Sequence, residues 1–289
     1  MTAPVASAAS GYLVLDAAYR AAVAQTAIGV IRIMQLWWTS VDPADLARTS
    51  SRWLETSVLT ILAAQARTAS IADAYTEQVR RLSIPGALPW KPPPLRPENP
   101  ERIRKSLIFT GIHQTAEKLA ITEKSLQGGQ TDEERDSDQR TQQGRNAQLM
   151  SEGLARAAGS AIRLVTDAGQ ERIYDNVVSD PTAIGWARTT KPGCCYFCAM
   201  LASRGFVYKE DSFSESDARF IGPGQHKVHD TCGCGLRPLY NQEDPLPDRN
   251  EDLSDLWASE AARYSGQEAI KAFRRAYEAS PLSQPANVV

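Results

Sequence analysis

Two short runs of this chain carry side chains that can do metal chemistry: Cys195-Tyr196-Phe197-Cys198 and His229-Asp230-Thr231-Cys232-Gly233-Cys234. All five cysteines lie between positions 194 and 234, with two of the three histidines. Cys-x-x-Cys places two sulfurs on one tight turn, and His-x-x-Cys does the same for a nitrogen and a sulfur. Four such donors close a tetrahedral zinc shell, with sulfur at about 2.3 Å and imidazole nitrogen at about 2.0–2.1 Å. The candidate ligands are therefore Cys195, Cys198, His229, Cys232 and Cys234. Cys195, Cys198 and Cys232 need one more donor, from either His229 or Cys234. A shell of four protein ligands is structural, because a catalytic zinc keeps a position open for water. Gly233 and Gly235 bracket Cys234 and permit the sharp turn of a knuckle. Cys194 reads as a spare, since adjacent cysteines seldom both reach one ion.

Other chemistry fits the same residues less well. Reduced thiols or disulfides in a small core are the plain alternative. Cys198, His229 and Asp230 could be cast as nucleophile, base and orienting group, the arrangement a thiol enzyme requires. Several competing cysteines weaken that casting, and no enzyme activity is expected.

The elements that must position these residues follow from periodicity and turn chemistry. Apolar residues recur at three and four from Leu15 to Met34, from Leu46 to Leu62 and from Ile71 to Leu82, which predicts helices. Asp42-Pro43 reads as a helix start, with Asp42 as the cap and Pro43 in the first turn. Trp37, Trp38 and Trp53 read as helix-packing residues. Seven prolines between Pro85 and Pro100 exclude a helix or a central strand there. That segment reads as a semi-rigid connector or as an arm with Trp90 and Leu95 as anchors. Residues 101–126 and 146–167 read as further helices. The polar run 128–144 between them reads as a loop or a solvated helix extension. Residues 173–178 and 206–208 are β-prone, Pro192-Gly193 is a turn signal, and residues 253–278 read as a last helix. The expected class is α+β: a helical bundle over 1–84, a connector over 85–100, a mixed region over 101–244 with its cysteine cluster at 185–240, and a linker plus helix over 245–289.

Bulk properties narrow the function. A formal net charge of -2 gives no overall basic field to draw the chain onto nucleic acid. No uninterrupted apolar run reaches the roughly 18 residues that signal a membrane span. Residues 1–10 lack the charged start and apolar core of a secretory signal, and a reducing compartment favours metal over disulfides for clustered cysteines. A zinc-stabilised nucleic-acid-binding protein remains an alternative, because Arg163, Arg172, Arg188, Lys191, Arg204, Lys209, Arg219 and Lys227 surround the cluster. Glu210, Asp211, Glu215 and Asp217 dilute that charge.

Gly185-Trp186-Ala187-Arg188, Gly193 to Cys198, Met200-Leu201-Ala202-Ser203-Arg204-Gly205 with Val207-Tyr208, and the closing His229, Cys232 and Cys234 before residues 236–240 form one pattern. It resembles the Mu F-like family of phage head morphogenesis proteins, in the version found in phages of actinobacteria. The resemblance covers roughly residues 100–240 and is motif-specific over 185–240. It implies a minor capsid protein of the virion, at the capsid interior or portal vertex, made in the host cytoplasm and acting in procapsid assembly, DNA packaging or delivery. The implied partners are the portal protein, the major capsid or scaffold protein and packaged DNA, with no membrane. Some relatives carry a maturation protease or a toxin domain; neither is expected here, since no Ser/His protease pattern follows Tyr240.

Overall fold

The apolar stripe expected along the first forty residues becomes the inner face of one long helix, α1 (Pro4–Trp38). Tyr12, Tyr19, Val23, Ala27, Val30, Met34 and Trp38 are its buried apolar residues, spaced at three, four or seven as a helical face requires. The computed structural model describes residues 4–124, 132–208, 234–247 and 249–285. After α1 come the short α2 (Leu46–Thr49), α3 (Ser51–Ser83), α4 (Pro100–Leu107), a π-helical segment (Ile108–His113), α5 (Gln114–Lys124) and α6 (Asp132–Ser179). Then follow β1 (Gly185–Thr189), α7 (Tyr196–Ala202), β2 (Phe206–Tyr208), β3 (Gly235–Leu239), α8 (Asn250–Glu260) and α9 (Gly266–Ala279). The fold is mostly helical with a small three-stranded sheet, an α+β architecture.

Several local expectations are corrected. Helix α2 starts at Leu46 with Asp45 as its cap, whose carboxylate accepts from the Arg48 N–H; Asp42 instead accepts from Ala44 N–H in the preceding turn. Residues 173–178 are helical, not extended. Ile173 and Val177 stand one turn apart on the buried face of α6, so packing overrides the β-preference of branched side chains. The helix expected over 101–126 is interrupted by the π segment. The single helix expected over 253–278 is two, broken where Tyr264 N–H bonds the Ala261 carbonyl and Gly266 takes φ +54°. Of the polar run 128–144, residues 132–144 are helical and the others lie outside the described residues. By length and composition, residues 10–38 also form a helix apolar enough to cross a membrane, although they hold no long uninterrupted apolar run; 28% of its most apolar stretch is buried.

Two compact units divide the chain, and neither is contiguous in sequence. One comprises residues 26–65 and 97–165. Its core is Met34, Trp38, Trp53, Val58, Ile61, Ile103, Leu107 and Leu164 among others. Trp38 and Trp53 meet edge to face at 4.7 Å, and their indole N–H groups donate to the carbonyls of Met150 and Met34. The π segment brings Gly111 against Trp53 and Ala157. A Cβ on Gly153 would lie 2.1 Å from Thr115 Oγ1, so α6 needs glycine there for the close approach.

The other unit comprises residues 1–25, 66–96 and 166–289 and contains the cysteines. Its sheet has the order β2-β1-β3, all antiparallel, with Trp186 opposite both Val207 and Pro238. Every residue of β1 and β3 is buried. Pro238 lacks an N–H and is accommodated because β3 is an edge strand. Trp186 and Tyr174 pack edge to face at 5.2 Å. Arg237, on β3, is 1% exposed, and its guanidinium lies 3.4 Å from Asp16 Oδ2 of α1. Tyr75 of α3 donates to Asp16 Oδ1 at 2.6 Å. The carbonyl of Pro245 accepts from the same guanidinium, which also stacks over the Tyr12 ring. Tyr12 in turn donates to Asp244, whose carboxylate accepts from the backbone N–H groups of Tyr240 and Asn241. Asp16→Ala would leave a buried cation uncompensated and is expected to cost about 3–5 kcal/mol. Urea denaturation measures it; a loss under about 1 kcal/mol would mean the arginine is solvated by other means.

Candidate metal centre

The first knuckle is built by a turn and a helix cap. Lys191, Pro192, Gly193 and Cys194 form a β-turn closed by the Cys194 N–H on the Lys191 carbonyl at 3.1 Å. Proline second and a glycine at φ +69° third are the residues a type II turn demands. Gly193 has a second constraint, because a Cβ there would meet Pro285 at 3.1 Å. Cys195 then caps α7, its sulfur accepting from the Cys198 N–H at 3.4 Å. Helix α7 buries Cys198, Ala199, Met200, Leu201 and Ala202, and Gly205 at φ +67° releases the chain into β2.

Cys234 enters from the other side, at the start of β3. Its carbonyl accepts from Gln170 Nε2 of α6 at 2.7 Å, and Gln170 Oε1 accepts from buried Arg188 of β1. Asn250 of α8 donates to the Arg188 carbonyl. Thus strand, helix and C-terminal hairpin all fix the frame in which the sulfurs sit.

Cys194, Cys198 and Cys234 are buried in one apolar cluster, with half-buried Cys195 packed against it. No disulfide joins these four. His229 and Cys232 lie outside the described residues. Among the described residues, no three His, Cys, Asp or Glu side chains stand close enough together to hold a metal ion. The donor chemistry suits zinc in kind but not in number, so a closed shell would draw on His229 or Cys232 as well as the cysteines described.

Cys194 lies inside the cluster. The side-chain hydrogen bond with Cys234 pulls its thiol down from 9.0 to about 7, against the effect of burial, with help from Tyr277 and the positive charge of Arg249. The Tyr277 hydroxyl lies 3.3 Å from Cys194 Sγ and donates to the Cys194 carbonyl at 2.7 Å. Burial raises the Tyr277 phenol well above its usual range. Arg249 donates to the carbonyls of Lys191 and Leu282, tying the turn to the residues after α9. Leu253, Ala272, Phe273 and Tyr277 complete the cluster. None of these C-terminal partners was legible as part of the site: Tyr277 is 83 residues from Cys194 and carries no local signal of that contact. Tyr277→Phe removes the donor to a buried carbonyl while keeping the ring, and is expected to cost about 1–3 kcal/mol in urea unfolding. No measurable change would mean that water replaces the hydroxyl.

No curated protein and no solved structure matches the chain significantly. A family model described as VG15 protein matches residues 16–260, which takes in α1 from residue 16 onward, the bundle helices, the sheet, the cysteine turn and α8, and stops before α9. With so much of the described fold inside that match, the chain belongs to the VG15 protein family.

Proposed function

We propose that this chain is a structural minor capsid protein of a tailed phage, of the Mu F-like head morphogenesis type, and not an enzyme. It would work in the virion at the portal vertex or capsid interior, during procapsid assembly, DNA packaging or delivery. The observation that carries this reading is the motif pattern over residues 185–240, set within a match to the VG15 protein family over 16–260. The architecture is in keeping with it. Long helices and a small sheet module beside the cysteines provide surfaces for docking. Arg172 is taken up by Asp73 at 2.6 Å and Arg188 by Gln170 at 3.1 Å, so these two are not offered to a phosphate backbone. That disfavours the nucleic-acid-binding alternative, although contact with packaged DNA at other surfaces stays within the proposal.

Zinc would be a structural cofactor here, held by Cys195, Cys198, Cys232 and either His229 or Cys234. It would contribute folding free energy to the module directly. Protein purified without chelator is expected to carry close to one equivalent of zinc by mass spectrometry. No bound metal, with all thiols free, would remove zinc from the proposal.

The portal would be the principal partner, with major capsid or scaffold protein as a further one. The proline segment is the proposed docking arm. It is pinned at both ends: Arg80 of α3 donates to the Leu88 carbonyl, and Arg96 pairs with Asp175 of α6 at 2.5 Å. Between these pins Leu88 and Leu95 are exposed and Trp90 is half-buried, which presents apolar groups on a fixed backbone. A preordered arm loses less conformational freedom on binding than a mobile one. Truncating an aromatic hot spot costs on the order of 2 kcal/mol or more, so Trp90→Ala is expected to reduce co-purification with the portal while leaving the free protein soluble. Incorporation into heads at wild-type copy number would count against the arm, and a map of the intact procapsid that places the chain away from the portal would overturn the wider reading.

A further inference from the structure

We infer that one row of the proline arm, Leu88, Lys91 and Pro94, is a polyproline II ligand face that fits an aromatic-lined, acid-rimmed groove on a protein partner. This rests on the reading of the segment as a docking arm and specifies what the arm fits. The conformation follows from the sequence. Pro89, Pro92, Pro93 and Pro94 hold φ at about −65°. Leu88, Lys91 and Arg96 each precede a proline, which pushes their backbone into the extended region. Between Leu88 and Arg96 only Trp90 and Leu95 escape both restrictions. Residues 87–99 accordingly form no helix or strand, and none of them has a positive φ. A polyproline II helix turns once every three residues and rises about 3.1 Å per residue.

Burial along the arm has that period of three. Ala87, Trp90 and Pro93 are half-buried, and Arg96, next in the series, pairs with Asp175 and Glu171 of α6 at 2.5 and 3.5 Å. Leu88, Lys91 and Pro94 are exposed, Leu88 by 81%. Pro89 and Leu95 beside them are exposed as well, while Pro92 is half-buried. One row therefore seats the arm on its own unit, and the next stands open to solvent with its members about 9 Å apart.

The row selects its occupant by spacing and by charge. An aromatic-lined groove takes a polyproline II helix because the ligand arrives already ordered, and here both ends of the arm are pinned as well. Lys91 places one positive charge on the open row. It is exposed, and no carboxylate among the described residues pairs with it, whereas Arg96 is held by α6. A carboxylate on the rim of the groove is the complement of Lys91. A repeat of three does not match a sheet edge, where side chains alternate every two residues. One cation among apolar groups does not match a phosphate backbone, which is bound by many.

The full-length chain tests this by calorimetry. It is titrated with the purified portal protein and, separately, with an SH3 domain that takes PxxP ligands bearing a basic residue, a surrogate groove of the stated chemistry. Wherever the wild type binds, Pro94→Ala and Lys91→Glu are each expected to weaken binding about tenfold or more. Pro93→Ala, in the seated row, is expected to change it less than about threefold. Both outward positions are exposed, so unfolding midpoints should match the wild type. Portal binding that is indifferent to Pro94→Ala and Lys91→Glu overturns the proposal, whatever the surrogate does, and leaves the portal as partner. A silent portal with a surrogate that depends on the outward row keeps the ligand face and removes the portal. Binding of neither probe overturns the proposal. So does a loss with Lys91→Glu but none with Pro94→Ala, which would mean that charge alone drives the contact.

Discussion

A single buried guanidinium organises the unit that carries the cysteines. Arg237 lies on an edge strand with almost no exposure, and a charge there is tolerable only if it is compensated at close range. Asp16 supplies the countercharge from α1, Tyr75 of α3 orients that carboxylate, and the Pro245 carbonyl and the Tyr12 face take the rest of the guanidinium. Each partner comes from a different part of the chain. Satisfying one charge therefore fixes the strand against two helices and against the loop that leads to α8.

That strand is also where Cys234 emerges, so the same restraint sets the geometry of the sulfurs. The Gln170–Arg188 pair holds the Cys234 carbonyl from α6 and β1, while Asn250 ties β1 to the C-terminal hairpin. The hairpin closes the far side. Trp257 and Phe273 pack at 5.4 Å, Phe273 and Tyr277 stack at 6.1 Å, and Arg274 lies over the Tyr196 ring. Helix α9 thus completes the core around the cysteines, although the family match ends at residue 260. The cysteine module of this chain draws part of its wall from outside the matched region.

In the second unit the governing constraint is close backbone approach. Gly153 has no room for a side chain beside Thr115, and the π segment turns Gly111 toward the same helix. Two indole donors find backbone carbonyls inside the core, so the large Trp38 and Trp53 rings are buried with their polar atoms satisfied. The price of such tight packing is intolerance of even one added methyl group.

Local patterns determined much of this protein. The helical stripes of α1 and α3, the Pro-Gly turn before Cys194 and the short strand at residues 206–208 were all legible, because periodicity and turn chemistry act over a few residues. So was the inward role of Trp38 and Trp53. Tertiary structure alone decided the rest. Ile173 and Val177 stay helical because a buried face of α6 rewards them, and Asp45 rather than Asp42 caps α2 because Asp42 is engaged in its own turn. The π segment at 108–113 and the break between α8 and α9 likewise follow from packing. Cys194 reads as a spare in sequence, yet in the fold it meets Tyr277 and Cys234, 83 and 40 positions away. Arg237 and Asp16 are 221 residues apart. Contacts at such separations leave no trace in local spacing, since what selects them is the need of a buried charge or a buried carbonyl for one particular partner.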